Sequence, residues 1–443
     1  MKTRGIIFLG VLAGIAATAV ADDWPHGLGP EHALTWREEG VATGRPEDGW
    51  KVAWRAKTGW GYSGPAVADG KVYLTDYVIT TGEVMNKPSA RVKLTGSERV
   101  RCFDAVTGKE LWAHAEDRDY DLSYPGGPRA VPTIADGKVY VLGAMGHLAC
   151  HDAGSGAVVW KRDFVKDYNA TVPIWGFSAH PLVDGDTVYC IAGGPGSVAV
   201  AFDKETGEEK WKALSAAEQG YCPPTIINYA KTTQLMIWHP ESLNSLNPET
   251  GALYWSIPLK PSYGMAIMAP RRSGDKLFAS GIGSVGALMK LEDSEPSATI
   301  IWRGTPKTAV YCANSTPYIL GDAIYGSDIR SSSLVAVRMK DGERLWSTRV
   351  PTVGEDGPER AGHGTAFLVY HKGNKQFWIF SETGDLILAE LSPEKYTEIA
   401  RQHVLEPTNE AFGRKVVWSM PAFAMKSAFL RNDKELVRVD LAK

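Results

Sequence analysis

The run Asp117-Arg118-Asp119-Tyr120-Asp121 sets three carboxylates at alternating positions, the opening spacing of a calcium loop. The sixth position is Leu122, where such a loop turns on Gly, and the twelfth is Pro128, where it needs a bidentate Glu. An ordinary solvated acidic loop is the better reading. His147 and His151 stand four residues apart, a metal-binding spacing on a helix. Their surroundings read as a strand, where the same spacing is about 13 Å, and Leu148 follows where a metalloprotease has Glu. Gly193-Gly194-Pro195-Gly196 lacks the Lys-Ser/Thr of a phosphate loop, and no Gly-x-Ser-x-Gly elbow marks a nucleophilic serine. A site has to be assembled by the fold from residues far apart in sequence.

A repeat supplies that assembly. Phe103-Asp104-Ala105-Val106-Thr107-Gly108 to Trp112 returns as Phe202-Asp203-Lys204-Glu205-Thr206-Gly207 to Trp211, with worn copies ending at Trp160, Trp255 and Trp346. The Asp turns the chain through its own backbone, and the Gly accepts the positive φ that closes the hairpin. Trp54, Trp112, Trp160, Trp211, Trp255, Trp302 and Trp346, with Ile399 in the next place, are spaced by 44 to 58 residues. That is the length of one four-stranded propeller blade. Upstream of each lies an opening phrase such as Pro65-Ala66-Val67-Ala68-Asp69-Gly70 or Pro132-Thr133-Ile134-Ala135-Asp136-Gly137, where Asp-Gly between apolar runs signals a hairpin. Pro181, Pro224, Pro270, Pro317 and Pro421 open further units, and Ala366 opens one without proline.

Eight opening phrases are followed by only seven outer strands, and Lys51–Ala56 is the spare. The fold predicted is all-β: an eight-bladed propeller of four-stranded antiparallel blades, its last blade completed by the N-terminal strand. Closure of this kind leaves no unpaired edge. The repeated Trp are expected to be core residues between blades. Residues 1–21 read as a signal peptide, 22–49 as an extension with a polar lead-in at Arg37–Glu47, and 50–443 as the propeller. The insertion Val78–Glu98 is expected to project as a loop, Glu116–Pro125 to separate blades one and two, and Leu214–Gln219 to form one helical turn.

The repeat register also picks out a site. Three residues before each opening phrase stand Tyr62, Arg129, Ser178, Tyr221, Ile267, Asn314 and Trp418, with His363 in the same place before Ala366. Opening strands line a propeller's channel, so these residues form one ring at its mouth, with Trp60, Trp175 and Tyr263 in the same loops. Such a ring either binds a ligand or satisfies backbone groups and plugs the channel. A ligand there would pair an anionic group with Arg129, stack on Trp418, and respond to His363 between about pH 5 and 8.

These phrases resemble the pyrroloquinoline-quinone-like propeller repeat from about Trp24 to the C-terminus. Gly127–Thr133, Leu142–Leu148 and Trp175–Ser178 are similar in particular to exported bacterial propellers of the outer-membrane assembly-factor type. The resemblance implies a non-catalytic binding or assembly propeller that holds a protein or small ligand at its channel face. A second implied reading is an oxidoreductase holding pyrroloquinoline quinone in the channel, and a third is an enzyme acting on polysaccharide through Tyr and His. The longer dehydrogenases of the group place a disulfide of adjacent cysteines by the quinone. Cys102, Cys150, Cys190, Cys222 and Cys312 are dispersed, so buried free thiols and no cofactor are expected.

Lys2 and Arg4, an apolar run from Ile6 to about Ala17, and Ala19-Val20-Ala21 predict export with cleavage near Ala21, to the periplasm or outside the cell. Asp22 stands where a lipoprotein carries Cys. A net charge of −3 with both signs mixed throughout argues against a nucleic-acid partner, and no stretch is long enough for an integral membrane segment. The chain is expected to be a monomer without a bound metal.

Overall fold

Residues 22–358 and 361–443 are described by the computed structural model, so the signal-peptide reading lies outside the described residues. The hairpin phrases fold as their chemistry dictates. Asp203 Oδ1 accepts from the backbone N–H of Glu205 and Thr206 and from the Thr206 hydroxyl, and Asp104 does the same for Val106 and Thr107. Eight antiparallel blades result. Blade one is Ala66–Ala68, Lys71–Thr81, Val92–Asp104 and Glu110–Asp117, and blade eight is Ala422–Ala424, Ser427–Arg431, Glu435–Asp440 and, out of sequence order, Val52–Lys57. Val52 pairs with Val439 and Lys57 with Glu435, so the N-terminal strand closes the ring.

The repeated Trp explain why four of the turns carry Gly108, Gly156, Gly207 and Gly251. Trp54, Trp112, Trp160, Trp211, Trp302 and Trp346 each donate the indole N–H to a turn carbonyl of the next blade, at 2.8–3.1 Å. Trp160 lies so close over Gly207 that a Cβ there would sit 2.5 Å from the ring. All seven lie on outermost strands, where Trp160 and Trp255 are buried and the other five half-buried; this corrects the expectation that all are core. Trp255 instead donates to Gln234. In blade seven the bulge shifts register between Leu388 and Ala389, so Ala400 pairs with Leu388 and holds the Trp place, while Ile399 faces outward at 38% exposure. Gly207→Ala should therefore cost about 2–5 kcal/mol, from the left-handed backbone plus the clash. Gly70→Ala, with φ +70 and nothing within 4 Å, should cost only the backbone share, about 1–2 kcal/mol. Equal urea midpoints for the two variants would show that docking contributes nothing.

The N-terminal extension is not a lead-in outside the ring. Trp24 pairs with Val67 of blade one through bonds of 2.7 and 2.8 Å, and Pro25 O accepts from Ile134 of blade two. Gly27 passes His180 of blade three closely enough that a Cβ would fall 2.9 Å from its Nε2. The guanidinium of Arg271, in blade five, donates 2.7 Å bonds to the His32 and Ala33 carbonyls. Thr35 meets Tyr318 of blade six, and Thr35–Trp36 runs parallel to Tyr370–His371 of blade seven. Trp36 packs on Phe423 of blade eight, and Glu38 Oε2 accepts from both Trp36 Nε1 and Lys426 N. Trp24, Trp36, Trp50, Leu28, Leu34 and Val41 are all buried. The segment thus crosses the channel at the end where the inner hairpins turn, because its apolar residues cover inner-strand surface that the blades leave open.

Two smaller expectations also change. Most of Val78–Glu98 is strand, and only residues 82–91 leave the ladder between Lys71–Thr81 and Val92–Asp104. Within Glu116–Pro125, Tyr120–Leu122 pairs back onto Val92–Leu94 of blade one. Leu214–Gln219 is not helical; the short helix is Phe164–Tyr168, capped by Asp163. All five Cys are buried and unpaired.

The plug carries a pH signature. His26 stacks on His32 with ring centroids 3.8 Å apart, and His180 lies beside them. Burial, aided by mutual repulsion and by Arg271 next to His32, holds His32 and His180 down to about 4 and His26 well below its ordinary value. Below pH 6.5 the unfolded chain takes up protons that the folded chain refuses, so stability falls as pH drops from 6.5 toward 4. Melting temperature is expected to decline over that window, and the decline to shrink in His32→Gln. A wild-type curve flat from pH 6.5 to 4.5 would contradict the neutral cluster.

Candidate functional site

With one end crossed by the plug, the channel is a blind well of about 770 Å³ that opens where the inner strands begin. Its wall brings together Tyr62, Arg129, Trp175, Ser178, Tyr221, Tyr263, Ile267, Asn314, His363 and Trp418, all of them ring or loop positions read from the repeat. Trp60 does not join them; it packs beneath, against Tyr77 and its neighbours. Thr365, rather than Ala366, immediately precedes the first strand residue of blade seven, as Pro does elsewhere, so His363 sits one place off the strict register yet still reaches the wall.

Most polar groups on the wall have a definable commitment, although the Tyr124 and Tyr221 hydroxyls are buried without a hydrogen-bond partner among the described residues. The Arg129 guanidinium donates to the carbonyls of Gly127, Ser123 and Tyr124 and lies 5.2 Å from the Tyr62 ring centroid. It braces a loop and has no carboxylate partner among the described residues, so its charge is shared with three carbonyls rather than paired. His363, against Phe412 at 4.9 Å, is held to about 4 by burial and by Arg414, so it stays neutral across pH 5 to 8 and cannot supply the expected titration. Trp418 donates its indole N–H to Glu382, a buried carboxylate that also accepts from Arg414 and from the Thr365 backbone. Its ring keeps company with Tyr124, His363 and Phe412 at 6.1–6.3 Å.

Asn314 differs. Its Nδ2 donates 3.1 Å to Thr365 Oγ1, which in turn donates 2.7 Å to the His363 carbonyl. That relay fixes which amide atom is the donor. The Asn314 Oδ1 is left as an acceptor with no donor among the described residues.

Sequence reasoning missed Tyr124, Phe412, Met265, Met268, Met420 and the mouth cover. Residues 82–91 do not project away; Asn86 bonds Asn409 and the Glu410 carbonyl at the rim, Tyr62 reaches Asn86, and Trp175 Nε1 donates to Pro88 O. Asn409–Ala411 and Arg414–Val416 form the facing hairpin. An aromatic in each of two inter-blade loops was the available signal, but their convergence depends on loop paths that the repeat does not encode.

Pyrroloquinoline quinone is a planar tricarboxylate, and the wall does not fit it. A single guanidinium, already shared among three carbonyls, faces three carboxylates, the histidines are neutral, and the acidic residue at the rim, Glu218, adds repulsion. Among the described residues no three His, Cys, Asp or Glu side chains converge as metal ligands. No helix among them is long and apolar enough to cross a membrane.

Comparison with known proteins agrees with this architecture. The outer membrane protein assembly factor BamB of Shewanella oneidensis is 23% identical over 287 residues, covering 61% of this chain and 70% of that one. The crystal structure of BamB from Moraxella catarrhalis superposes with a TM-score of 0.55 at 15% identity, over 88% of this chain and 96% of that one. The quinohemoprotein alcohol dehydrogenase of Comamonas testosteroni gives 0.59 at 13% identity, over 94% and 80%. At such identities these structures speak for the fold. Residues 96–348, more than half of the chain, match the PQQ-repeat family described as outer membrane protein assembly factor BamB, and the chain belongs to that family.

Proposed function

We propose that this chain is an exported, non-catalytic binding propeller that holds its ligand or partner at the channel mouth. The observation carrying this reading is convergence: side chains from different blades, chosen by register alone, meet on one blind, aromatic-walled well. Cavities of this size and lining are the usual form of small-ligand sites. Among the described residues no nucleophile–base pair or acid–base couple is built on the wall, which favours holding over turnover. The relatives' name, an outer membrane protein assembly factor, and an N-terminal segment that reads as an export signal support a role in the periplasm or outside the cell, with a protein partner engaging the ring face.

A thermal-shift screen of neutral aromatics, sugars, peptides and quinones against the wild type tests the reading. At least one class is expected to raise the melting temperature, and Trp418→Ala to weaken that compound about tenfold or more while still melting cooperatively. Arg129→Ala is expected to lose about 2–4 kcal/mol of stability instead, because three carbonyls lose their donor. If no class stabilises the wild type, the mouth is not a binding site.

A further inference from the structure

We propose that the well selects a small, uncharged aromatic molecule bearing a hydroxyl or N–H, with its ring against the aromatic wall and its donor on Asn314 Oδ1. This rests on the mouth being the binding site and names what the site takes.

Three observations converge. First, the wall offers aromatic and soft apolar surface on every side: Trp175, Tyr221, Trp418 and Phe412 with Met265 and Met268. Ring edges, ring faces and thioethers favour a flat aromatic guest. Second, the charge on the wall does not suit an ionised guest: the one guanidinium, Arg129, is already shared among three backbone carbonyls, Glu382 is closed by Arg414, His180 and His363 are neutral, and Glu218 at the rim repels an anion, so an anion entering would give up its hydration for a single cation already in use. Third, Asn314 is locked by the Thr365 relay with its carbonyl oxygen left over, and an acceptor fixed in this way discriminates for a donor on the guest. A free small molecule fits better than a protein loop, because residues 82–91 and the 409–416 hairpin, joined by Asn86, narrow one side of the opening, and the far end is crossed by the plug.

Calorimetric titration of the whole protein at pH 7.5 with three matched probes tests this. 2-Naphthol is expected to bind; 2-methoxynaphthalene, lacking the donor, and naphthalene-2-carboxylate, carrying a charge, are each expected to bind about tenfold more weakly or worse. Asn314→Leu is expected to remove the preference of naphthol over its methyl ether. Equal binding of all three probes, tightest binding by the carboxylate, or no binding by any of them would each overturn the assignment. Should Asn314→Leu fail to fold, the naphthol-to-ether ratio in the wild type still decides it. If sugars or peptides stabilise the protein in the thermal screen while the naphthalenes do not bind, the mouth remains a binding site and only this ligand class is wrong.

Discussion

Replacing Val52–Lys57 by a Gly–Ser run of equal length should leave the chain aggregated rather than merely weakened. That strand supplies the fourth position of blade eight, and its removal exposes the whole edge of Glu435–Asp440, whose Leu436, Val437 and Val439 are buried. An exposed apolar edge is a template for pairing with another chain. Trp54 would also leave its docking place on the Ala105 carbonyl, so the seam between blades eight and one would open on two sides. The same substitution across residues 43–48, which no strand uses, is the control. Light scattering and size exclusion read the outcome; a soluble, monomeric variant with a cooperative melt would refute closure by the N-terminal strand.

Trp36→Ala ranks second in expected effect, at about 4–7 kcal/mol. Deleting a buried indole costs about 3–5 kcal/mol. A further 1–2 kcal/mol or so comes from Glu38, a buried carboxylate that loses one of two donors. The indole is wholly buried, edge-on to His371 at 5.1 Å and close to Phe423 at 5.2 Å, so no rearrangement within the ring refills its place. Urea denaturation of the full chain reads the loss. A cost below about 1 kcal/mol would mean that the extension merely rests on the ring instead of tying its blades together.

The contrast between these two strands shows what the sequence reveals. Blade count, strand order and closure follow from Asp-Gly and Asp-x-x-Thr-Gly phrases, because turn chemistry is local and each copy reports it again. The plug carries no such phrase. Trp24, Trp36 and Trp50 stand on either side of the polar stretch Arg37–Glu47, but what they bury is the channel lining, a surface that exists only once eight blades have closed. The mouth divides in the same way. Register placed Tyr62, Tyr221, Asn314 and Trp418 on one wall, since quasi-symmetry is a property of the repeat. It could not foretell that Arg129 would turn back onto the Ser123 and Tyr124 carbonyls, or that burial beside Arg414 would neutralise His363. Those outcomes depend on irregular loops, where each blade departs from its copies.

The claim that the mouth is the binding site is met most directly by fluorine NMR on protein labelled with 5-fluorotryptophan. The chain holds fifteen Trp, of which Trp175 and Trp418 line the well. Their two resonances can be assigned from Trp175→Phe and Trp418→Phe. Titration with 2-naphthol should move these two signals through its ring current and leave the blade-docking indoles, such as Trp211 and Trp302, in place. Saturable shifts confined to other tryptophans, with Trp175 and Trp418 unmoved, would place the ligand elsewhere and contradict the account.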